Sequence, residues 1–226
     1  MEIHKPKPWR GTREFGKELG TIVLGVLIAL GAEQAVEWLH VRSEMTQARA
    51  AMQTEIRDDL RALVSEARED ACYRSRMTVF AAWANGAGPR PPGGGGMIME
   101  GLSANAWEMA KTGALPHMPL KERLEFATFY ADVDNQMGLV RMVRQQAIEV
   151  GGYRSREALR PEEAAALIRM SGELRSLLVG ESRNVTYMLD EGRELGLKPN
   201  PEHPQNKARI DALCAAYPPE PTTEAR

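Results

Sequence analysis

The chain predicts an all-α fold: one N-terminal transmembrane helix that continues into an elongated antiparallel helical bundle. Three observations carry this. Between Gly31 and Gly86 there is neither glycine nor proline, the residues that most readily break helices. Aromatic residues make up only 6% of the 226 residues, while Ala, Leu, Arg, Glu and Met are plentiful, a composition that suits helices better than sheet. Apolar residues also recur at helical spacing: Met45, Ala48, Met52, Ile56, Leu60, Leu63, Ala67 and Ala71 are three or four apart.

The first element is the leader. Lys5, Lys7, Arg10, Arg13 and Lys17 precede an uninterrupted apolar run, Leu19 to Ala32. About 20 apolar residues are expected of a spanning helix, so the run alone is short. Ala35, Val36, Trp38, Leu39 and Val41 extend it around Glu33, Gln34 and Glu37. Trp9 and Trp38, residue types that favour membrane interfaces, would be separated by roughly 43 Å of helix, close to a bilayer with its headgroups. The cation excess before the run predicts a cytoplasmic N-terminus and a periplasmic bulk. Two other readings compete with an anchor. Ala29-Leu30-Gly31 would serve as a signal-peptide cleavage site. A soluble core helix would have to be apolar on every face from Ile22 to Leu30.

Within the leader, Gly16, Gly20, Gly25 and Ala29 place small residues at the spacing that lets spanning helices approach closely. Glu33 and Glu37 lie one turn apart at the outer end. With Gln34 they are candidate partner-facing residues, because an ionisable group near membrane depth is a functional hypothesis by default.

Beyond the leader, a helix over 32–85 is predicted, with a break near Ser43 or Cys72 conceivable. A Gly/Pro-rich loop over 86–102 follows. Its four glycines lack the lysine and preceding strand of a phosphate cradle, which leaves a linker. Ser103 caps a short helix over 104–112. Pro119 opens a helix to 150, with Leu120, Leu124, Ala127, Tyr130, Val133, Met137, Val140, Val143 and Ala147 as its inward stripe. Pro161 opens another to 195, with Leu167, Ile168, Leu174, Leu177, Leu178, Val185, Met188 and Leu189 inward. Gly196-Leu197-Lys198-Pro199 stops it. A short helix over 207–217 precedes a tail, 218–226, expected to be disordered. The organisation is thus a cytoplasmic N-terminus (1–18), a transmembrane helix (19–41), a periplasmic helical domain (42–217) and the tail.

Reaction chemistry is not legible. His4, His40, His117 and His203 are scattered without metal-ligand spacing, and no nucleophile elbow occurs. Asp58-Asp59, Glu69-Asp70 and Glu162-Glu163 are adjacent pairs. Neighbours on a helix point about 100° apart, so these read as solvated faces rather than acid/base dyads. A net charge of −2 excludes the basic balance of a nucleic-acid binder. Cys72 and Cys214 are either two free thiols or, outside the cytoplasm, one disulfide.

The segment Arg13-Glu-Phe-Gly-Lys-Glu-Leu-Gly-Thr-Ile-Val-Leu-Gly-Val-Leu-Ile-Ala-Leu30 resembles the start of a large family of uncharacterised bacterial single-pass membrane proteins. Ser103-Ala-Asn-Ala-Trp-Glu-Met-Ala-Lys-Thr-Gly-Ala-Leu115 is similar to a second segment of that family, with Met109 or Ala110 where a leucine is usual. The resemblance implies membrane anchoring and a helical extracytoplasmic domain, and carries over no catalytic or ligand residues. The expectation is a non-enzymatic inner-membrane protein without cofactor. Its partners would be the lipid bilayer and a membrane protein or a second copy of itself. The competing expectation is a ligand-sensing bundle, and after cleavage near Gly31 the chain would be a secreted periplasmic protein.

Overall fold

A computed structural model of the chain describes residues 12–92, 97 and 100–219. Trp9, the cations before Thr12, the four-glycine run and the tail from 220 lie outside the described residues. Five helices are formed: α1 (Thr12–Ala84), α2 (Asn105–Lys111), α3 (Leu120–Gly152), α4 (Pro161–Glu194) and α5 (Pro204–Ala216). Short 3-10 turns occupy Leu115–His117 and Tyr153–Ser155. No strand occurs among the described residues. The all-α expectation therefore holds.

The boundaries follow local chemistry. α1 ends where Gly86 takes a left-handed φ of 70°, and α4 ends where Gly196 does the same. Such a backbone is cheap only for glycine. Pro161 sits in the first turn of α4, where its missing N–H costs nothing. Glu163 reaches back to accept the Arg160 backbone N–H at 3.0 Å, satisfying one of the free donors at the helix start. α5 opens at Pro204 rather than at Lys207, by the same proline rule. Gly151 and Gly152 do not end α3 but complete its last turn.

The chain divides into two compact units, Met1–Gln47 and Ala48–Arg226. Among its described residues the first unit is a single helical segment with its large apolar side chains exposed, from Phe15 and Leu19 through Leu27 and Ile28 to Trp38 and Leu39. This stretch is long and apolar enough to cross a membrane, a property that signal sequences share.

In the second unit, contacts fix the directions of the helices. α1 and α3 run the same way, since Arg49 pairs with Glu122 and Glu66 with Gln136. α4 runs against both: Gln136 meets Asn184, Gln146 meets Glu173, and Asp70 meets Ser182. The expected antiparallel arrangement thus holds for α4 but not for α1 and α3, which run parallel because the 85–119 connection returns along α1, with Ser103 held by Asp59 and Glu100 by Arg61. α4 also passes close to α1: a Cβ on Gly192 would lie 2.5 Å from Leu60 Cδ2.

Met52, Ile56, Leu60 and Leu63 of α1 are buried, as are Phe126, Phe129, Tyr130 and Val133 of α3 and Val185 and Met188 of α4. A cluster nearer the far end of α1 joins Cys72, Tyr73, Met77 and Phe80 to Val143, Val150, Leu167, Leu174, Leu178, Leu213 and Tyr217. Cys72 and Cys214 form a disulfide, Cα–Cα 5.1 Å, which ties α5 to α1. The Arg76 guanidinium lies beside it, over the rings of Tyr73, Tyr217 and Phe80 at 5.1–5.7 Å.

The inward stripe of α3 differs from expectation. Leu120 and Leu124 are exposed, at 62% and 58%. Tyr130, Val133 and Val143 of the expected stripe are buried, but near the start of the helix Phe126 and Phe129 face the core in place of the two leucines, and their larger apolar area decides which face turns inward. Ile168 of α4 is likewise exposed, while Leu167 beside it is buried.

Candidate functional site

The leader residues singled out by sequence remain on the surface of their own unit. Glu33, Gln34 and Glu37 are exposed and share one side of α1 with Leu30, Trp38 and Val41. The Arg42 guanidinium lies 5.2 Å from the Trp38 ring, an arrangement that suits an interfacial tryptophan. Gly16, Gly20 and Gly25 have nothing within 4 Å of a hypothetical Cβ, so this small-residue flank, which Ala29 continues, is open.

The second unit carries a feature that sequence reading missed, a polar layer inside the bundle. Glu69, Asp70, Gln136 and Glu181 are each at most 1% exposed. They correct the reading of Glu69-Asp70 as a solvated face, and Asp59, at 2% exposed, corrects Asp58-Asp59 in the same way. A signal was present. Continuing the inward register Ile56–Leu63 by three and seven residues lands on Glu66 and Asp70, not on Ala67 and Ala71.

In this layer the Gln136 side-chain amide donates to Glu66 Oε1 and, at 3.5 Å, to Glu181 Oε1. Its carbonyl accepts from Asn184 at 2.8 Å. Arg74 donates to Ser182 Oγ at 2.8 Å, and Ser182 Oγ donates onward to Asp70 Oδ2 at 3.3 Å. Glu181 Oε2 and Asp70 Oδ1 are buried with no N–H or hydroxyl donor reaching them among the described residues. Burial out of water disfavours the charged forms of Glu66, Asp70 and Glu181 and raises all three. Glu66 stabilises the protonated form of Glu181, and the nearby Asp70 and Glu69 charges push it the same way, to about 10.

A second polar site faces solvent. Glu55, Asp58, Asp59, Arg61, Gly101, Ser103 and Ala106 are among the residues lining an open cleft of about 610 Å³. Glu55 anchors its floor by accepting from Ser103 Oγ (2.7 Å), the Ala106 backbone N–H (3.1 Å) and the Tyr130 hydroxyl (2.9 Å). Asp59 Oδ1 accepts the Ser103 backbone N–H at 3.0 Å, while Oδ2 is buried without a donor. Burial raises Asp59 to about 7, against the lowering effect of the Ser103 bond. These bonds fasten the returning 100–106 segment to α1, so the carboxylates are occupied in holding the fold.

Among the described residues, no group of three or more His, Cys, Asp or Glu side chains has the arrangement of a metal site. His40 pairs with Glu44 at 3.0 Å, and His117 and His203 are exposed at helix starts or turns. No protein-family model, curated protein or solved structure matches the chain.

Proposed function

We propose that this chain is a single-pass inner-membrane protein, N-terminus cytoplasmic, whose helical domain lies in the periplasm and acts as a docking or scaffold subunit. The observation that carries the reading is the exposure of residues Phe15 to Leu39 on α1. A surface of that apolarity is unfavourable in water and favourable in lipid. The Cys72–Cys214 disulfide supports an oxidising compartment for the second unit, because such bonds persist outside the cytoplasm. The resemblance of residues 13–30 to single-pass membrane proteins points the same way.

Docking is favoured over ligand sensing by the way the second unit uses its polar groups. The cleft over Glu55 and Asp59 is open, and its carboxylates bind the chain's own backbone. Exposed apolar side chains, Met109, Leu120 and Leu124 among them, offer contact area instead. Non-enzymatic action follows from the same reading.

The test is purification of the intact protein in mild detergent, beside a Glu33→Ala/Glu37→Ala variant. Loss of a co-purifying membrane protein from the variant is expected, and an identical partner list sinks the role given to those carboxylates. A C-terminal reporter active only in the periplasm should be active, and an inactive one overturns the orientation. Intact mass distinguishes an anchor from a cleaved leader: a mature chain that begins near Ala32 overturns the anchor.

A further inference from the structure

The polar layer of the second unit combines features that a purely structural ion-pair network lacks. Glu66, Glu69 and Asp70 come from α1 and Glu181 from α4, so carboxyls meet across the seam between two helices. Gln136 of α3 bridges Glu66 and Glu181 with one amide nitrogen. Glu66, Glu69 and Asp70 of α1 and Glu181 of α4 face one another, with Arg74 of α1 beside Asp70. From α3 and α4 the remaining partners, Gln136, Ser182 and Asn184, are neutral. Arg74 reaches Asp70 through Ser182.

Independently of the cluster on α1, fully buried Glu181 aims into it from α4 with Oε2 lacking any donor. Asp70 Oδ1 lacks one too. Two carboxyls that converge in a dry site cannot both stay ionised at tolerable cost, so a proton between them is the simplest donor. A metal would need a ligand arrangement that is absent among the described residues.

We propose that Glu66, Asp70 and Glu181 form a proton-operated lock on the α1–α3–α4 seam: with protons held between the carboxyls the helices close, and loss of those protons loosens the seam around Ser182. The sign follows from linkage. The closed state holds protons that the open state releases, so closure is complete in mild acid and weakens as pH rises. The opening equilibrium should rise about tenfold per pH unit for each proton held, until the closed state itself loses the proton.

The experiment is hydrogen exchange on the full chain in detergent micelles from pH 5 to pH 9, corrected for the intrinsic pH dependence of exchange. It is read on peptides covering 64–72 and 178–186. Wild type should open progressively towards alkaline pH, and Glu181→Gln, which keeps the shape without a proton to lose, should show a shallower rise. Asp59 and Glu191 also lose protons in this range, but they do so in both proteins and cancel in the comparison. A flat wild-type profile, or parallel profiles for the two proteins, overturns the proposal. So does millimolar Ca²⁺ or Mg²⁺ that flattens the wild-type profile, which would make the layer a cation site. If Glu181→Gln does not fold, Asp70→Asn enters the same comparison, with parallel profiles again overturning the proposal.

Discussion

Helix α1 has two parts that use the same backbone in opposite ways. From Phe15 to Leu39 it exposes Leu, Ile and Val side chains, Ile28 at 64% and Val36 at 67%. From Met52 to Phe80 it buries not only Ile56, Leu60 and Leu63 but also Asp59, Glu69, Asp70 and Arg76. Hydropathy alone would have put the first part inside and the charges of the second outside. The contrast is explained if each part has a different surrounding. On the proposed reading the first meets a medium as apolar as itself, whereas the second meets helices that bring hydrogen-bond partners. Exposed apolar groups therefore report on an environment outside the chain, and buried polar groups on the internal packing.

The largest effect should come from making the first part resemble the second. Leu24→Arg together with Leu27→Arg places two charges in the middle of the apolar run. Each costs about 3 kcal/mol on insertion scales, so the pair costs roughly 6 kcal/mol, on the order of ten-thousand-fold in partition. The variant should leave the carbonate-washed membrane pellet and appear in the soluble or degraded fraction. If it pellets as wild type does, the exposed stretch is not lipid-facing and the comparison between the two parts of α1 breaks.

Next in size is the disulfide, which acts on the second part alone. Cys72 and Cys214 close a loop of 142 residues. In the chain-entropy model such a cross-link stabilises by about 5 kcal/mol. Cys72→Ala/Cys214→Ala should lower the urea midpoint of the second unit, read by the fluorescence of Trp83 and Trp107, and leave membrane association unchanged. An unchanged midpoint would show that α5 is held by Arg68, through Asp211 and Glu202, rather than by the bridge.

The same contrast explains what was legible in advance. Helix existence, the turns at Gly86 and Gly196 and the start at Pro161 all follow from backbone chemistry written in single residues, and the structure shows each of them. Helix direction was not legible. Whether α3 runs with α1 or against it depends on where the 85–119 connection lies, and Ser103 and Glu100 settle that only through partners 39 to 48 residues away. The polar layer was obscured because an acidic residue reads as solvated by default. Only its register, three and seven residues beyond Leu63, marks Glu66 and Asp70 as inward. The choice of Leu120 and Leu124 as core failed for a related reason. Periodicity identifies an apolar stripe, of which Tyr130, Val133 and Val143 are buried, but Phe126 and Phe129, two to nine residues from those leucines, take the inward places at the start of the helix.

The smallest expected effect concerns Asp59, and its value is that the sign depends on pH. Burial raises this carboxyl to about 7, while the Ser103 backbone N–H pulls the other way through Oδ1. In an unfolded chain it would titrate near 4. The folded protein therefore holds a proton that the unfolded chain has released, and stability is lost as pH rises from about 4 through about 7. Asp59→Asn keeps an acceptor for Ser103 and removes the charge. At pH 5 the two proteins should melt nearly together, because ionisation of the unfolded carboxyl already costs wild type about 1.5 kcal/mol, roughly what the unpartnered amide costs the variant. At pH 8 the variant should be more stable by about 1–2 kcal/mol, roughly 3–6 °C, a gain held down because the new amide has no partner where Oδ2 now lies. A gap that is equal at both pH values would mean that Asp59 is ionised throughout and stabilised by its neighbours. The buried carboxyl would then belong to a charged network that its neighbours satisfy, and burial alone would not have set its protonation.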